Sequence, residues 1–121
     1  MSVLYVDDDR DDADVFCEAV ETVYASINCT IFSDAGDVLN EIASRCPDFI
    51  FLDYKMPIGN GVEILHKIQN TDCFSRTKII MYSSFMRERE IEECRKLGVH
   101  DCLKKSSDFH VLCNSLRTLF S

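Results

Sequence analysis

Five short apolar runs, each followed by a stretch with helical spacing, organise this 121-residue chain. The most constraining is Phe49-Ile50-Phe51-Leu52, which stops at Asp53. Four apolar residues in succession suit a strand buried on both faces, as in a parallel sheet covered by helices on each side. Pro57 then forbids a continuing ladder, and Gly59 and Gly61 let the backbone turn. Asp53 either caps that turn or stands at the carboxyl end of a central strand, where open α/β sheets gather their chemistry.

The other runs repeat the pattern. Ser2-Val3-Leu4-Tyr5-Val6 ends in Asp7-Asp8-Asp9 and reads as a buried strand. From Arg10 to about Tyr24, Ala13, Phe16, Cys17, Val20 and Val23 recur at spacings of three and four, the stripe of an amphipathic helix. Asp9, Asp11 and Asp12 crowd its first turn, where the helix dipole favours acids. Cys29–Phe32 is a second strand. Ser33 or Asp34 is placed to cap a helix from about Ala35 to Ser44. After the central strand come a helix near Val62–Gln69, a strand at Lys78–Tyr82 running into Ser83, and a charged helix, Arg87–Leu97, closed by Gly98. His100–Lys104 is a less apolar strand, expected near an edge. A last helix, about Asp108–Phe120, carries a mixed face of Phe109, Leu112, Leu116 and Leu119; its exposed side beside the fifth strand is the candidate surface for a homodimer. Alternation at this spacing predicts one domain over residues 1–121, a parallel sheet with right-handed crossovers and helices on both faces.

Composition narrows the function. A formal net charge of −8 opposes binding to nucleic acid, which rests on Lys and Arg neutralising phosphates, so DNA binding by this chain is not expected. No apolar run approaches a membrane span and Met1-Ser2-Val3-Leu4 lacks a signal peptide's basic region, which sets the expectation of a cytoplasmic protein without membrane contact. The seven cysteines include no Cys-x-x-Cys pair and lie mostly among apolar neighbours, so they are expected to be buried free thiols rather than metal ligands, with a redox sensor as the alternative. His66, His100 and His110 have no partner at metal spacing and are expected at the surface.

In a parallel sheet every strand's carboxyl end reaches the same rim. That rim collects Asp7, Asp8 and Asp9, then Asp53, Ser83 and Lys105. Carboxylates a few ångströms apart repel by several kcal/mol at an intermediate dielectric, a cost that a divalent cation removes. Few oxygen ligands with room for water suit Mg²⁺. Asp7, Asp8 and Asp53 supply three negative charges; Mg²⁺ and Lys105 balance them, which leaves a neutral site able to admit a phosphoryl group. Asp53 is the carboxylate placed to attack it, forming an acyl phosphate.

Along its whole length the chain resembles the receiver domain of two-component response regulators. The matching segments are Val3–Asp9, Phe51–Pro57, Gly59–Gly61, Ile80–Ser84 and Gly98–Lys105, in order and each at a predicted strand end. The resemblance implies a (βα)5 flavodoxin-like fold with strand order 2-1-3-4-5. It implies that Asp53 is the phosphoacceptor, that Asp7 and Asp8 hold Mg²⁺ with Asp8 the more direct ligand, and that the Lys55 backbone carbonyl is a further ligand. Ser83 matches the switch hydroxyl, and Lys105, rather than Lys104, the lysine that pairs with phosphate. The implied partners are a sensor histidine kinase or phosphotransfer protein and a downstream protein target that the sequence does not identify. Without being a conventional enzyme, such a domain would catalyse its own phosphoryl transfer and slowly hydrolyse its own acyl phosphate.

Two positions depart from the family pattern. Ser106 stands where a proline commonly follows the lysine, and a cis bond before Ser106 would cost about 2.5–4 kcal/mol, so trans is expected. Cys102 replaces the usual aromatic switch residue, which shifts the expected readout to Ser83 and the loop Ser84-Phe85-Met86, with Phe85 supplying the missing ring. Two functions compete: a stand-alone phosphorelay regulator, and a pseudo-receiver that serves as an interaction module without phosphoryl chemistry. The complete acid pair, acceptor, hydroxyl and lysine favour the first. An aspartyl phosphatase would want a second aspartate two positions beyond Asp53, where Lys55 stands.

Overall fold

The computed structural model describes residues 1–32, 35–54 and 61–121. The expected cap at Ser33 or Asp34, the breaker Pro57 and the turn residue Gly59 lie outside them. Strands β1 (Ser2–Val6), β2 (Asn28–Phe32), β3 (Phe49–Asp53), β4 (Lys78–Ser83) and β5 (Asp101–Lys104) alternate with helices α1 (Arg10–Val23), α2 (Ala35–Ser44), α3 (Gly61–Gln69), α4 (Glu88–Lys96) and α5 (Phe109–Phe120). The sheet is parallel with order β2-β1-β3-β4-β5, as the resemblance implied. One element escaped the sequence reading: a single 3-10 turn at Asp72–Ser75 between α3 and β4.

Strand alternation sorts side chains into two cores. Tyr5, Phe49, Phe51 and Tyr82 face α1 and α5, where they meet Phe16 and Phe120 in a layer of aromatic rings. Leu4, Val6, Ile50, Leu52, Ile79 and Met81 face the opposite side, against α2, α3 and α4. Every residue of β3 is buried, so the unbroken apolar run is explained by cover on both faces. β5 is only half-buried and sits at an edge, as its mixed composition suggested.

Leu112 and Leu116 are buried in the α1–α5 core, with Phe109 and Leu119 packed against it, so this stripe is not an exposed dimer face; Val111 is the apolar residue α5 shows to solvent. Cys46, just past the end of α2, is disulfide-bonded to Cys73 in the 3-10 turn, with Cα atoms 5.3 Å apart, so these two are not free thiols. Their separation of 27 residues gave no local signal of the pairing. Gly98 ends α4 with φ +95°, the left-handed geometry that a C-terminal glycine supplies. His66, His100 and His110 are exposed as expected.

Candidate functional site

The sheet's register brings the predicted residues together. Val6 pairs with Leu52, Asp53 with Tyr82 and Ser83 with Lys104, so Asp7, Asp53, Ser83 and Lys105 reach one rim. The Lys105 amide donates to the Ser83 carbonyl at 2.8 Å, extending the ladder and fixing where the lysine side chain leaves β5. The Lys105–Ser106 bond is trans, and Ser106 Oγ accepts from the Asp108 amide at 3.1 Å before Asp108 caps α5.

Asp7 is the electrostatic centre. It is 2% exposed, and its Oδ2 accepts from Lys105 Nζ at 2.8 Å and from the Tyr5 hydroxyl at 2.6 Å, while Oδ1 accepts from the Asp9 amide at 3.0 Å. Burial alone would push its carboxyl up, but these donors, Lys105 foremost, hold it below the usual carboxylate range. Lys105 is also withdrawn from water, which disfavours its charge; bonds to Asp7 and to Asp12 Oδ2 (2.9 Å) outweigh this and raise its pKa. Its Nζ lies 3.6 Å from Asp53 Oδ2 and 5.6 Å from the centre of the Tyr82 ring. Burial pushes the Tyr82 phenol up to about 12, so it stays neutral beside the ammonium.

Asp7, Asp8 and Asp53 each present an oxygen within 4.8 Å of the others. Asp7 and Asp53 are buried whereas Asp8 is exposed, which leaves one side of the cluster open to water. Hard oxygen donors, few in number and open on one side, fit Mg²⁺ with several retained waters. Lys55, whose carbonyl was expected as a further ligand, lies outside the described residues. The cluster borders an open cleft of about 340 Å³ that Asp53, Ser83 and Lys105 also line. Ser83 Oγ is 3.1 Å from the Phe85 carbonyl and 3.3 Å from the Phe85 amide, so the hydroxyl is tied to the loop that follows it.

Two contributors were missed from sequence. Tyr5 shares a strand face with Asp7 because side chains two apart in a strand point the same way, a signal that was available. Asp12 was read as one of the helix-start acids, yet it pairs with Lys105. Asp9 does act as the α1 cap, accepting from the amides of Asp11 and Asp12. With Asp12 included, a bound Mg²⁺ and Lys105 would leave the acids one negative charge in excess, where Asp7, Asp8 and Asp53 alone would be balanced. Cys102 lines an adjoining groove of about 300 Å³ with Ser83, Phe85, Met86, Ile91 and Leu103. Phe85 is 59% exposed at its margin.

The fold and this acidic rim define a class, and comparison with known proteins agrees. The family model for the response regulator receiver domain matches residues 3–117, and the chain belongs to that family. Protein PilG of Pseudomonas aeruginosa is 33% identical over 76 residues, 61% of this chain and 56% of PilG. The transcriptional regulatory protein DesR of Bacillus subtilis is 29% identical over 85 residues, 70% of this chain and 41% of DesR. The chain thus spans about half the length of these curated relatives or less. The crystal structure of chemotaxis response regulator CheY4 of Vibrio cholerae superposes with a TM-score of 0.84 at 20% identity, covering 98% of this chain and 97% of that one. Among the described residues, no helix is long and apolar enough to cross a membrane.

Proposed function

We propose that this receiver domain accepts a phosphoryl group on Asp53 from a phosphohistidine of a sensor kinase or phosphotransfer protein. The observation that carries the reading is the position of Lys105 Nζ, 2.8 Å from Asp7 and 3.6 Å from Asp53, at the mouth of a cluster of three carboxylates. An Asp53 oxygen attacks phosphorus, the P–N bond to the donor imidazole breaks, and the product is an acyl phosphate on Asp53. Asp7, Asp8 and Asp53, with the Lys55 carbonyl that the family resemblance adds, would hold Mg²⁺, whose positive charge would offset the negative charge of the incoming phosphoryl group. Lys105 supplies the second positive charge by turning from Asp12, its most exposed partner, toward the phosphoryl group.

Ser83 converts the event into a loop movement. Its hydroxyl donates either to the Phe85 carbonyl, as observed, or to a phosphoryl oxygen on Asp53. Taking the second partner ends the bond to the Phe85 carbonyl, and the loop shifts the Phe85 ring toward the groove beside Cys102. Protein contacts made by that surface are the output.

Incubation with Mg²⁺ and acetyl phosphate, read by intact mass, tests the proposal. One added phosphoryl group on the parent and none on Asp53→Asn is expected. Absence of an adduct from acetyl phosphate and from a phosphohistidine donor would favour an interaction module in which Lys105 and the acids serve only as structural ion pairs.

A further inference from the structure

We propose that Cys17 on α1 and Cys29 on β2 form a reversible dithiol–disulfide site that a hydroperoxide closes. Neither thiol takes part in the phosphoryl chemistry, so the inference is independent of it. The two Sγ atoms lie 2.8 Å apart, well inside the contact distance of non-bonded sulfurs. An S–S bond is about 2.0 Å long, so closing it asks for a movement of less than about 1 Å.

Access separates this pair from the chain's other free cysteines. Cys94 and Cys102 also interact through their thiols, but Cys94 is 1% exposed and shielded from a solute. Cys113 is buried, out of reach of a solute. Cys17 and Cys29 are both half-buried, on a helix face and on the edge strand of the sheet. Either thiol can donate the S–H that joins them, so either sulfur can attack and the other resolve.

The chemistry balances in two steps. One sulfur of the pair attacks a peroxide oxygen, the O–O bond breaks, and its thiol proton leaves with the alcohol or water released. That residue is then a sulfenic acid, two electrons poorer. The second sulfur displaces its hydroxyl, which departs as water with the second thiol's proton, and the S–S bond forms. An external dithiol returns both sulfurs to thiols by exchange. The closed form staples α1, whose first turn supplies Asp12 to Lys105, to the β2 edge.

The test reduces the whole folded protein, removes the reductant, adds two equivalents of hydrogen peroxide per chain so that Cys46–Cys73 can also close, blocks remaining thiols and maps peptides by mass. The expected result is a Cys17–Cys29 crosslink with loss of two hydrogens, reversed by dithiothreitol. Cys29→Ser and Cys17→Ser should each lose the crosslink and instead accumulate, on the remaining cysteine, a sulfenic acid that dimedone traps. The proposal is overturned if the parent keeps Cys17 and Cys29 open to alkylation while other cysteines oxidise. It is equally overturned if Cys17 pairs with another cysteine, or if the crosslink forms only in denaturant. The parent's own map decides the matter even where a variant folds poorly.

Discussion

Replacing Tyr5 by Phe deletes one oxygen from the heart of the site and leaves its packing in place. The ring stacks on Phe16 with centroids 4.3 Å apart and meets Tyr82 edge-on, contacts that Phe retains. What goes is the 2.6 Å bond to Asp7, whose side chain is 0% exposed, so no water replaces the lost donor. A hydrogen bond to a charged group contributes about 1.5–3 kcal/mol, and that is the expected loss at pH 7 without added metal. For a chain of this size the midpoint of thermal unfolding should fall by roughly 5–15 °C. The pH dependence has a definite sign. The folded-state pKa of Asp7 is depressed, so its stabilisation is complete above the unfolded value of about 3.9 and fades as pH falls through the folded value. The gap between Tyr5→Phe and the parent should therefore narrow on acidification. Urea unfolding followed by circular dichroism at several pH values between neutral and acid measures it. Equal stabilities at pH 7, or a gap unchanged by acid, would refute the view that Asp7 is ionised and held by the Tyr5 hydroxyl.

Three further substitutions probe other parts. Lys105→Met leaves Asp7 and Asp53 without their ammonium and should cost about 2–4 kcal/mol at pH 7, partly restored by Mg²⁺ in urea unfolding. Because the folded pKa of Lys105 is raised, its contribution should persist up to about pH 10.4 and disappear as pH rises through the folded value. In Gly98→Ala the new Cβ would sit 2.5 Å from the Phe74 ring at φ +95°; a loss of about 2–4 kcal/mol in urea is expected. Phe85→Ala should take up phosphoryl within about twofold of the parent, under roughly 0.4 kcal/mol of barrier. It should also show smaller phosphorylation-induced amide shifts at Ile91 and Cys102, the groove that the ring is proposed to enter.

Much of this architecture was legible because burial on two faces writes itself into a strand. The unbroken run Phe49–Leu52 and the abrupt polar endings at Asp7, Asp53 and Ser83 located the rim, and the register then brought those endings side by side. Interactions that depend on where a side chain arrives after a crossover were not legible. Asp12 looks like any acid at a helix start, and only the exit path of Lys105 from β5 makes it a partner. Leu112 and Leu116 suggested a mixed face because the α1 surface they bury against is remote in sequence. The cysteine pairs were hidden for the same reason: Cys17 meets Cys29 across a helix-to-strand connection, and Cys46 meets Cys73 between two separate units of the fold. The choice of Lys105 over Lys104 came from family resemblance, and the structure turns Lys105 into the cleft while Lys104 is exposed.

The claim on which the rest depends is that Asp7, Asp8 and Asp53 act together as one cation site. Titration of the parent with Mg²⁺ by calorimetry tests it most directly. One cation per chain is predicted, with stability raised by about 2.7 kcal/mol at a hundredfold excess over Kd. Asp8→Asn, altered at an exposed position that the fold does not need, should bind at least about tenfold more weakly, a loss of roughly 1.4 kcal/mol. Absence of binding to the parent, or equal affinities for the parent and Asp8→Asn, would contradict the account.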